Sequence, residues 1–136
     1  YLEGTRFTAK KHAAQQSPYP NLLKPKAGGL GLAIQILGKQ VDGLIDMTIV
    51  YPDGIPGYGD FWMGRVRRIG VDLREIQIPD WVLAGDYEED REFRAKFHTW
   101  VATLWANKQH TIDQMLNRFN HNDDALAPAN LQLGAK

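Results

Sequence analysis

Apolar residues recur at helical spacing in the last third of the chain. The positions lie three or four residues apart and form one stripe: Phe93, Phe97, Trp100, Val101, Leu104 and Trp105. A stripe of this width is typical of a helix that packs against a hydrophobic core. Asp86 followed by Glu89 has the pattern of a helix N-cap with its reciprocal acid, so we expect the helix to begin there.

A shorter stripe predicts an earlier helix. Its apolar positions also follow helical spacing: Leu30, Ala33, Ile34 and Leu37. Pro25 suits the first turn and Gly38 suits the C-cap. Three glycines fall inside this stretch, at positions 28, 29 and 31. Each lowers helix stability by up to about 1 kcal/mol relative to alanine, which indicates close packing against another backbone.

Two stretches between these helices have the composition of β-strands. Residues 44–51 (LIDMTIVY) are rich in apolar and β-branched types and predict a strand that is buried on both faces for part of its length. Residues 65–79 predict a second strand, with a bulge near Arg74 and Glu75 where the apolar phase changes. The segment between them, 52–64, holds four glycines and two prolines and predicts a loop.

The two ends of the chain are predicted to be less regular. Tyr1-Leu2 is predicted to be the end of a strand, and a helical turn is expected near Lys10 to Gln15. Thr111 with Gln114 forms a second capping pattern, which predicts a separate helix after the main one. We divide the chain into one domain, residues 1–120, and a flexible polar tail, residues 121–136.

Composition narrows the classes of function. The 136 residues suffice for one modest domain, and 16 acidic side chains balance 16 basic ones. No nucleic-acid partner is expected at this charge balance. Cysteine is absent, which excludes a disulfide framework and a thiolate nucleophile. We expect no metal and no cofactor, and no apolar stretch is long enough to cross a bilayer.

The strongest chemical signal is the tetrapeptide Glu3-Gly4-Thr5-Arg6. Glycine lets backbone N–H groups approach a ligand closely, threonine offers a hydroxyl, and arginine offers a planar fork that matches phosphate oxygens. Glu3 would position Arg6 or accept a hydrogen bond from a hydroxyl. These are the parts of an anion site, although four residues alone fit an ordinary turn with a surface ion pair better.

Further candidates surround this tetrapeptide. Lys24 and Lys26 would add positive charge to a phosphate or coenzyme A site, or else are solvated loop lysines. Asp46 lies within an apolar strand and needs a partner, either Arg6 or a lysine. The aromatic loop, which we define as Tyr58, Phe61, Trp62 and Met63, is a candidate for a membrane-interface element, although a loop collapsed over the sheet is the default expectation.

Three segments in order resemble the lysophospholipid acyltransferase family. They are the run from Tyr1 to Thr8 with Lys10-Lys11-His12, the run Leu22 to Lys26 with Gly28-Gly29-Leu30, and the strand Ile45 to Tyr51 with its Asp and Thr. The likeness is closest to the lysophosphatidic acid and lysophosphatidylinositol or lysocardiolipin acyltransferases. It is specific over residues 1–54, weaker to about residue 80, and general beyond.

The resemblance implies an α/β fold: the C-terminal part of a mixed β-sheet covered by helices, with two or three strands and three or four helices. It implies that Glu3, Gly4, Thr5 and Arg6 bind the acceptor phosphate and that the segment Leu23 to Lys26 helps to shape the acceptor pocket, which makes Lys24 and Lys26 candidate substrate or donor contacts. The partners would be a lysophospholipid acceptor, an acyl-CoA or acyl-carrier-protein donor, and the cytoplasmic face of a membrane, reached through the complete protein.

The family's catalytic unit is missing from this sequence. In the family, a His-x4-Asp pair takes the proton of the acceptor hydroxyl, which then attacks an acyl thioester. None of the four histidines here has Asp five residues later, so no catalytic residue is assigned. The chain begins without Met, on what resembles a strand end, which suggests a piece of a longer protein; a processed terminus is the alternative.

Two more expectations follow. We expect the chain by itself to be inactive in acyl transfer and to self-associate, because a sheet without its first strands exposes an edge. The competing hypothesis is a non-catalytic module that binds an anion or a lipid headgroup.

Overall fold

A computed structural model describes residues 2–126 as a mixed α/β arrangement. Described in chain order, the elements are α1 (Ala9–Gln15), α2 (Ala27–Leu37), a 3-10 turn (Gly38–Gln40), β1 (Leu44–Val50), α3 (Tyr58–Trp62), β2 (Gly70–Ile76), α4 (Asp80–Ala84) and α5 (Arg91–Leu126). The α/β prediction is therefore confirmed at this level. Within residues 2–126 the two strands match the expected number, whereas five α-helices exceed the expected three or four.

The two strands form an antiparallel hairpin without a bulge. The pairing runs unbroken from Leu44 opposite Ile76 to Val50 opposite Gly70, so the predicted bulge is wrong. Strand alternation explains the change of phase, because Val71 and Leu73 lie on one face and Ile76 on the other.

One face of the hairpin is apolar and open. Its exposed members are Ile45, Met47, Ile49, Val71 and Leu73, and Ile45 is 79% exposed. The opposite face carries Asp46 and the buried Thr48 and packs against α5. The expectation that β1 is buried on both faces is therefore wrong for this chain: the continuous apolar run has only one covered face.

A single long helix, α5, replaces the two predicted helices. It begins after Asp90, whose Oδ1 accepts from the N–H groups of Glu92 and Phe93. Asp86 instead caps the preceding turn, through the N–H groups of Glu88 and Glu89. Thr111 lies inside the helix, where its hydroxyl donates to Asn107 O. No helix within residues 2–126, α5 included, combines the length and apolar character that crossing a bilayer demands.

The hydrophobic core has two parts, both built on α5. The larger joins α2, α4 and α5 through the buried residues Ala27, Ile34, Ile78, Val82, Phe97 and Val101. The smaller joins the N-terminal segment, β1 and α5 through Leu22, Val50, Trp105 and Ile112. The predicted apolar stripe is confirmed, because Phe97, Val101 and Trp105 are its buried centre.

The remaining sequence predictions meet mixed outcomes. The early helical turn is confirmed as α1, and Gly38 is the C-cap of α2 at φ 52°. Leu2 lies in a turn rather than at the end of a strand, and Pro25 precedes the N-cap of α2, which is Lys26. The predicted loop contains α3. Of the predicted polar tail, residues 121–126 continue α5, and residues 127–136 lie outside the described part of the chain.

Candidate anion-binding site

The N-terminal turn is held against the segment that precedes α2. The N–H of Lys26 donates to Leu2 O at 2.7 Å, and the N–H of Leu23 donates to Glu3 Oε1 at 3.1 Å. Leu23 is fully buried, and its carbonyl accepts from the indole Nε1 of Trp105 on α5 at 3.0 Å. Two motifs about twenty residues apart in sequence are thereby fixed side by side on the core.

Gly4 and Lys26 meet at this junction. Gly4 has φ 68°, in the left-handed region that favours glycine. A Cβ atom placed on Gly4 would lie 3.3 Å from Lys26 Cδ and 3.5 Å from Lys26 Nζ. The ammonium group of Lys26 therefore lies beside the backbone of the tetrapeptide.

Thr5 and Arg6 lie beside a second lysine. Lys11 Nζ donates to Thr5 Oγ1 at 2.6 Å and reaches Arg6 O at 3.4 Å. Thr8 is the N-cap of α1, and its hydroxyl accepts from the backbone N–H of Lys11 in the first turn of that helix. Arg6 is exposed, and within residues 2–126 its guanidinium has no hydrogen-bond or ion-pair partner. Its five donors are thus available to a ligand.

Glu3 does not position Arg6, contrary to expectation. Its carboxylate is buried and accepts from the backbone of Leu23. Burial raises the pKa of Glu3, while the Leu23 N–H and the positive charge of Lys108 act in the opposite direction. The role that the structure gives to Glu3 is to fasten the turn, because its oxygen satisfies a buried backbone donor.

The raised pKa of Glu3 predicts a pH-dependent stability. The folded chain holds the Glu3 proton to higher pH than the unfolded chain does, so burial of this group costs stability as pH rises above about 4, the ordinary glutamate range. Glu3→Gln keeps an oxygen for Leu23 N–H and cannot ionise. The unfolding free energy of the variant minus that of the wild type should therefore increase with pH through this window. Urea unfolding between about pH 4 and 7 measures it; a difference that stays constant with pH would contradict it.

Lys24 lies apart from this cluster. Its side chain is exposed, and its backbone N–H donates to Gln15 Oε1 at 3.1 Å. The structure therefore brings Gly4, Thr5, Arg6 and Lys26 together and gives Lys24 no comparable contact with them.

Positive charge is concentrated in this part of the chain. The first 41 residues contain six lysines and arginines and a single acid, Glu3, although the whole chain is neutral. Because Glu3 is buried, no acidic side chain from these residues lies at the surface to neutralise them. A local field of this sign attracts small anions.

The partner of Asp46 is a lysine of α5, not Arg6. Lys108 Nζ lies 2.5 Å from Asp46 Oδ1, and it also donates to Met47 O and to Thr48 Oγ1. The second oxygen of Asp46 accepts from Arg74, its cross-strand neighbour, at 2.9 Å. This network joins the inner face of the hairpin to α5.

A cavity of about 560 Å³ opens beside Glu3 at the edge of β1. Its charged members are Glu3, Asp46 and Lys108, and its wall is otherwise mainly apolar, including Leu2, Leu22, Leu30, Leu44, Leu104 and Trp105. The volume lies within the range of small-ligand sites. An apolar space therefore adjoins the cationic turn.

Two contacts of these residues were not predicted from the sequence. Lys11 was visible as part of a basic run, but its contact with Thr5 requires the chain to reverse before α1. Lys108 gave no local signal, because it lies 62 residues from Asp46. In the part of the chain that the structure describes, no group of three or more acidic or histidine side chains is placed to hold a metal ion.

No family model, curated protein or solved structure matches this chain.

Proposed function

We propose that this chain is the acceptor-phosphate-binding part of an O-acyltransferase. The complete enzyme would transfer a fatty acyl group from acyl-CoA or an acyl carrier protein to a lysophospholipid such as lysophosphatidic acid. Residues 1–120 would form the C-terminal portion of its acyltransferase domain, which would act at the cytoplasmic face of a membrane.

The observation that carries the proposal is that the side chains of Lys26 and Lys11 lie against Gly4 and Thr5, in the same turn that contains the exposed Arg6. Arg6 offers an unpaired guanidinium, while Lys11 and Lys26 place ammonium groups beside the same turn. A phosphate monoester matches this set, because its oxygens accept from the arginine fork and its charge balances the lysines. Thr5 Oγ1 already accepts from Lys11, so the hydroxyl proton is free to be donated to a ligand oxygen.

The neighbouring cavity favours a lipid over a simple phosphate. Its wall begins at Leu2 and Glu3, next to the turn that holds the cations, and continues with leucine side chains and Trp105 of α5. A lysophospholipid has this combination of an anionic head and a hydrocarbon chain. In this proposal Glu3 fastens the turn rather than touching the substrate, because its carboxylate is occupied by Leu23 N–H.

The proton-transfer step would depend on residues outside this chain. The resemblance implies a His-x4-Asp pair whose His removes the proton of the acceptor hydroxyl as its oxygen attacks the thioester carbonyl; the C–S bond then breaks, and the carrier leaves as a thiol that takes up the proton. This chain contains no such pair, so its contribution is to bind and orient the acceptor.

Replacing Arg6 by alanine tests the proposal. In the complete protein, the variant should raise the KM for the lysophospholipid by about tenfold or more, because a charge-assisted contact with the phosphate is lost. Arg91→Ala, an exposed arginine at the start of α5, is the control and should leave KM unchanged. An unchanged KM for Arg6→Ala would remove Arg6 from the site.

The non-catalytic alternative is distinguished by a second measurement. The alternative predicts that the complete protein binds glycerol 3-phosphate but transfers no acyl group from a labelled acyl-CoA. Phosphorus NMR of glycerol 3-phosphate measures the binding. Acyl transfer by the complete protein, together with none by the isolated chain, supports the enzyme. Acyl transfer by the isolated chain would contradict the proposal that this chain binds the acceptor while residues outside it carry out the proton transfer.

A further inference from the structure

The aromatic loop exposes large apolar side chains on a very short helix. Tyr58 is 84% exposed and Trp62 is 88% exposed, and the two lie four residues apart on one side of α3. Met63 and Ile55 flank them and are each 66% exposed. The default expectation, a loop collapsed over the sheet, is therefore not what the structure shows.

Two contacts hold α3 in position. The ring of Phe61 packs edge-on against Tyr51, which follows β1, with 6.4 Å between centroids. Asp60 Oδ2 accepts from Gly57 N–H at 2.8 Å and closes the first turn. Phe61 thus attaches the helix to the end of the hairpin, while Tyr58 and Trp62 remain uncovered.

Positive charge lies next to these aromatic rings. Three arginines lie within the six residues that follow α3: Arg65, Arg67 and Arg68. The two nearby acids are both engaged, because Asp60 pairs with Arg65 at 3.6 Å and Asp53 pairs with Arg68. Arg67 is exposed, and within residues 2–126 no hydrogen bond or ion pair engages its side chain. The surface beside the loop therefore has no unpaired negative charge of its own.

We propose that the aromatic loop is a peripheral membrane anchor that inserts into the interface of an anionic phospholipid bilayer. Tyrosine and tryptophan favour the interfacial region of a bilayer, because their rings are apolar and their O–H or N–H groups still reach water and headgroups. Arg67, and the neighbouring arginines when lipid phosphates compete for them, add attraction to anionic headgroups. The inference concerns a surface separate from the candidate anion site and does not depend on the proposed enzymatic function.

A second copy of the chain is the less suitable occupant. Stable protein interfaces bury about 1,600 Å² in total, which a five-residue helix and its flanks do not supply. A symmetric contact would also place the arginine clusters of two copies against each other, at an electrostatic cost.

Vesicle sedimentation tests the anchor. The chain should bind vesicles of phosphatidylcholine containing about one-third phosphatidylglycerol more tightly than pure phosphatidylcholine, and added salt should weaken binding. Trp62→Ala combined with Tyr58→Ala should lower the partition coefficient by about tenfold or more, through lost apolar insertion. Ile36→Ala, at an apolar residue of α2 that is 72% exposed, is the matched control and should bind as the wild type does.

Tryptophan fluorescence locates the contact. Trp62 is far more exposed than Trp81, Trp100 and Trp105, so quenching by brominated lipids should come mainly from Trp62 and should disappear in Trp62→Phe. Wild-type binding by the double variant, or quenching that persists in Trp62→Phe, would overturn the anchor. So would concentration-dependent dimerisation without lipid that the double variant abolishes. Arg91→Ala, which removes an exposed arginine at the start of α5, is the charge control and should leave binding to these vesicles unchanged.

Discussion

Replacing Lys108 by methionine should lower the free energy of unfolding by about 3 kcal/mol. Methionine fills a similar volume but leaves Asp46, which is largely buried, without its ammonium partner. The carbonyl of Met47 and the hydroxyl of Thr48 also lose a donor. Arg74 remains beside Asp46, so the loss should fall near the lower end of what breaking a buried ion pair costs.

Urea unfolding of a double-mutant cycle measures this loss. Asp46→Asn in the Lys108→Met background should recover part of the stability, because the remaining side chain is then uncharged. Arg118→Met is the control: Arg118 is exposed on the same helix, and its replacement should change stability by no more than about 0.5 kcal/mol. If Lys108→Met costs the same whether residue 46 is Asp or Asn, the two side chains are not coupled and the interpretation of the network is wrong.

The second large effect is expected at Gly31 in α2. A Cβ atom there would lie 2.5 Å from Tyr87 Cδ2 and 2.8 Å from Cε2. Tyr87 cannot easily yield, because its ring stacks on His98 and meets Phe97 edge-on, and its hydroxyl is hydrogen-bonded to His98 Nε2. Gly31→Ala should therefore destabilise the chain by about 1–3 kcal/mol in spite of the better helix propensity of alanine.

Gly29 in the same helix is the matched control. No atom lies within 4 Å of a Cβ placed there, so Gly29→Ala should gain up to about 1 kcal/mol. Thermal or urea unfolding of both variants should place them on opposite sides of the wild type. Equal shifts in the same direction would contradict the contact with Tyr87.

These glycines show how far the sequence was informative. Their number in a helical stretch indicated close packing, and at Gly31 that packing is confirmed. The sequence could not identify the neighbour, which is the side chain of Tyr87 and not a backbone. Tyr87 lies in a turn more than fifty residues later, so only the tertiary arrangement relates the two positions.

Helices and strands were predictable wherever a periodic pattern was long. The stripe centred on Phe97 located α5, and a run of β-branched residues located β1. The false start at Thr111 arose because a threonine three residues before glutamine also occurs inside helices, where its hydroxyl donates to the carbonyl four residues earlier. Capping patterns are thus ambiguous without a break in the apolar stripe.

The sequence indicated most of the residues that lie together in the N-terminal turn, but it indicated neither the separate position of Lys24 nor the contact that Glu3 makes. Glycine, threonine, arginine and lysine were assigned from their chemistry, and the structure places Gly4, Thr5, Arg6 and Lys26 together. The predicted role of Glu3 was wrong because burial depends on the tertiary structure. Its carboxylate accepts from the backbone N–H of Leu23, which lies twenty residues later in the sequence. The same limit applies to Lys11.

The network around Asp46 has a consequence for the pairing of the hairpin. Apolar residues occur on both faces of β1, so hydrophobicity alone distinguishes poorly between one alignment and the next. A slip of β1 by one residue would turn Asp46 to the open face and present Met47 or Ile45 to Lys108, leaving that ammonium group buried without a carboxylate. The ion pair between Asp46 and Lys108 thus specifies the register of the hairpin, because it favours the observed strand alignment over one shifted by a single residue.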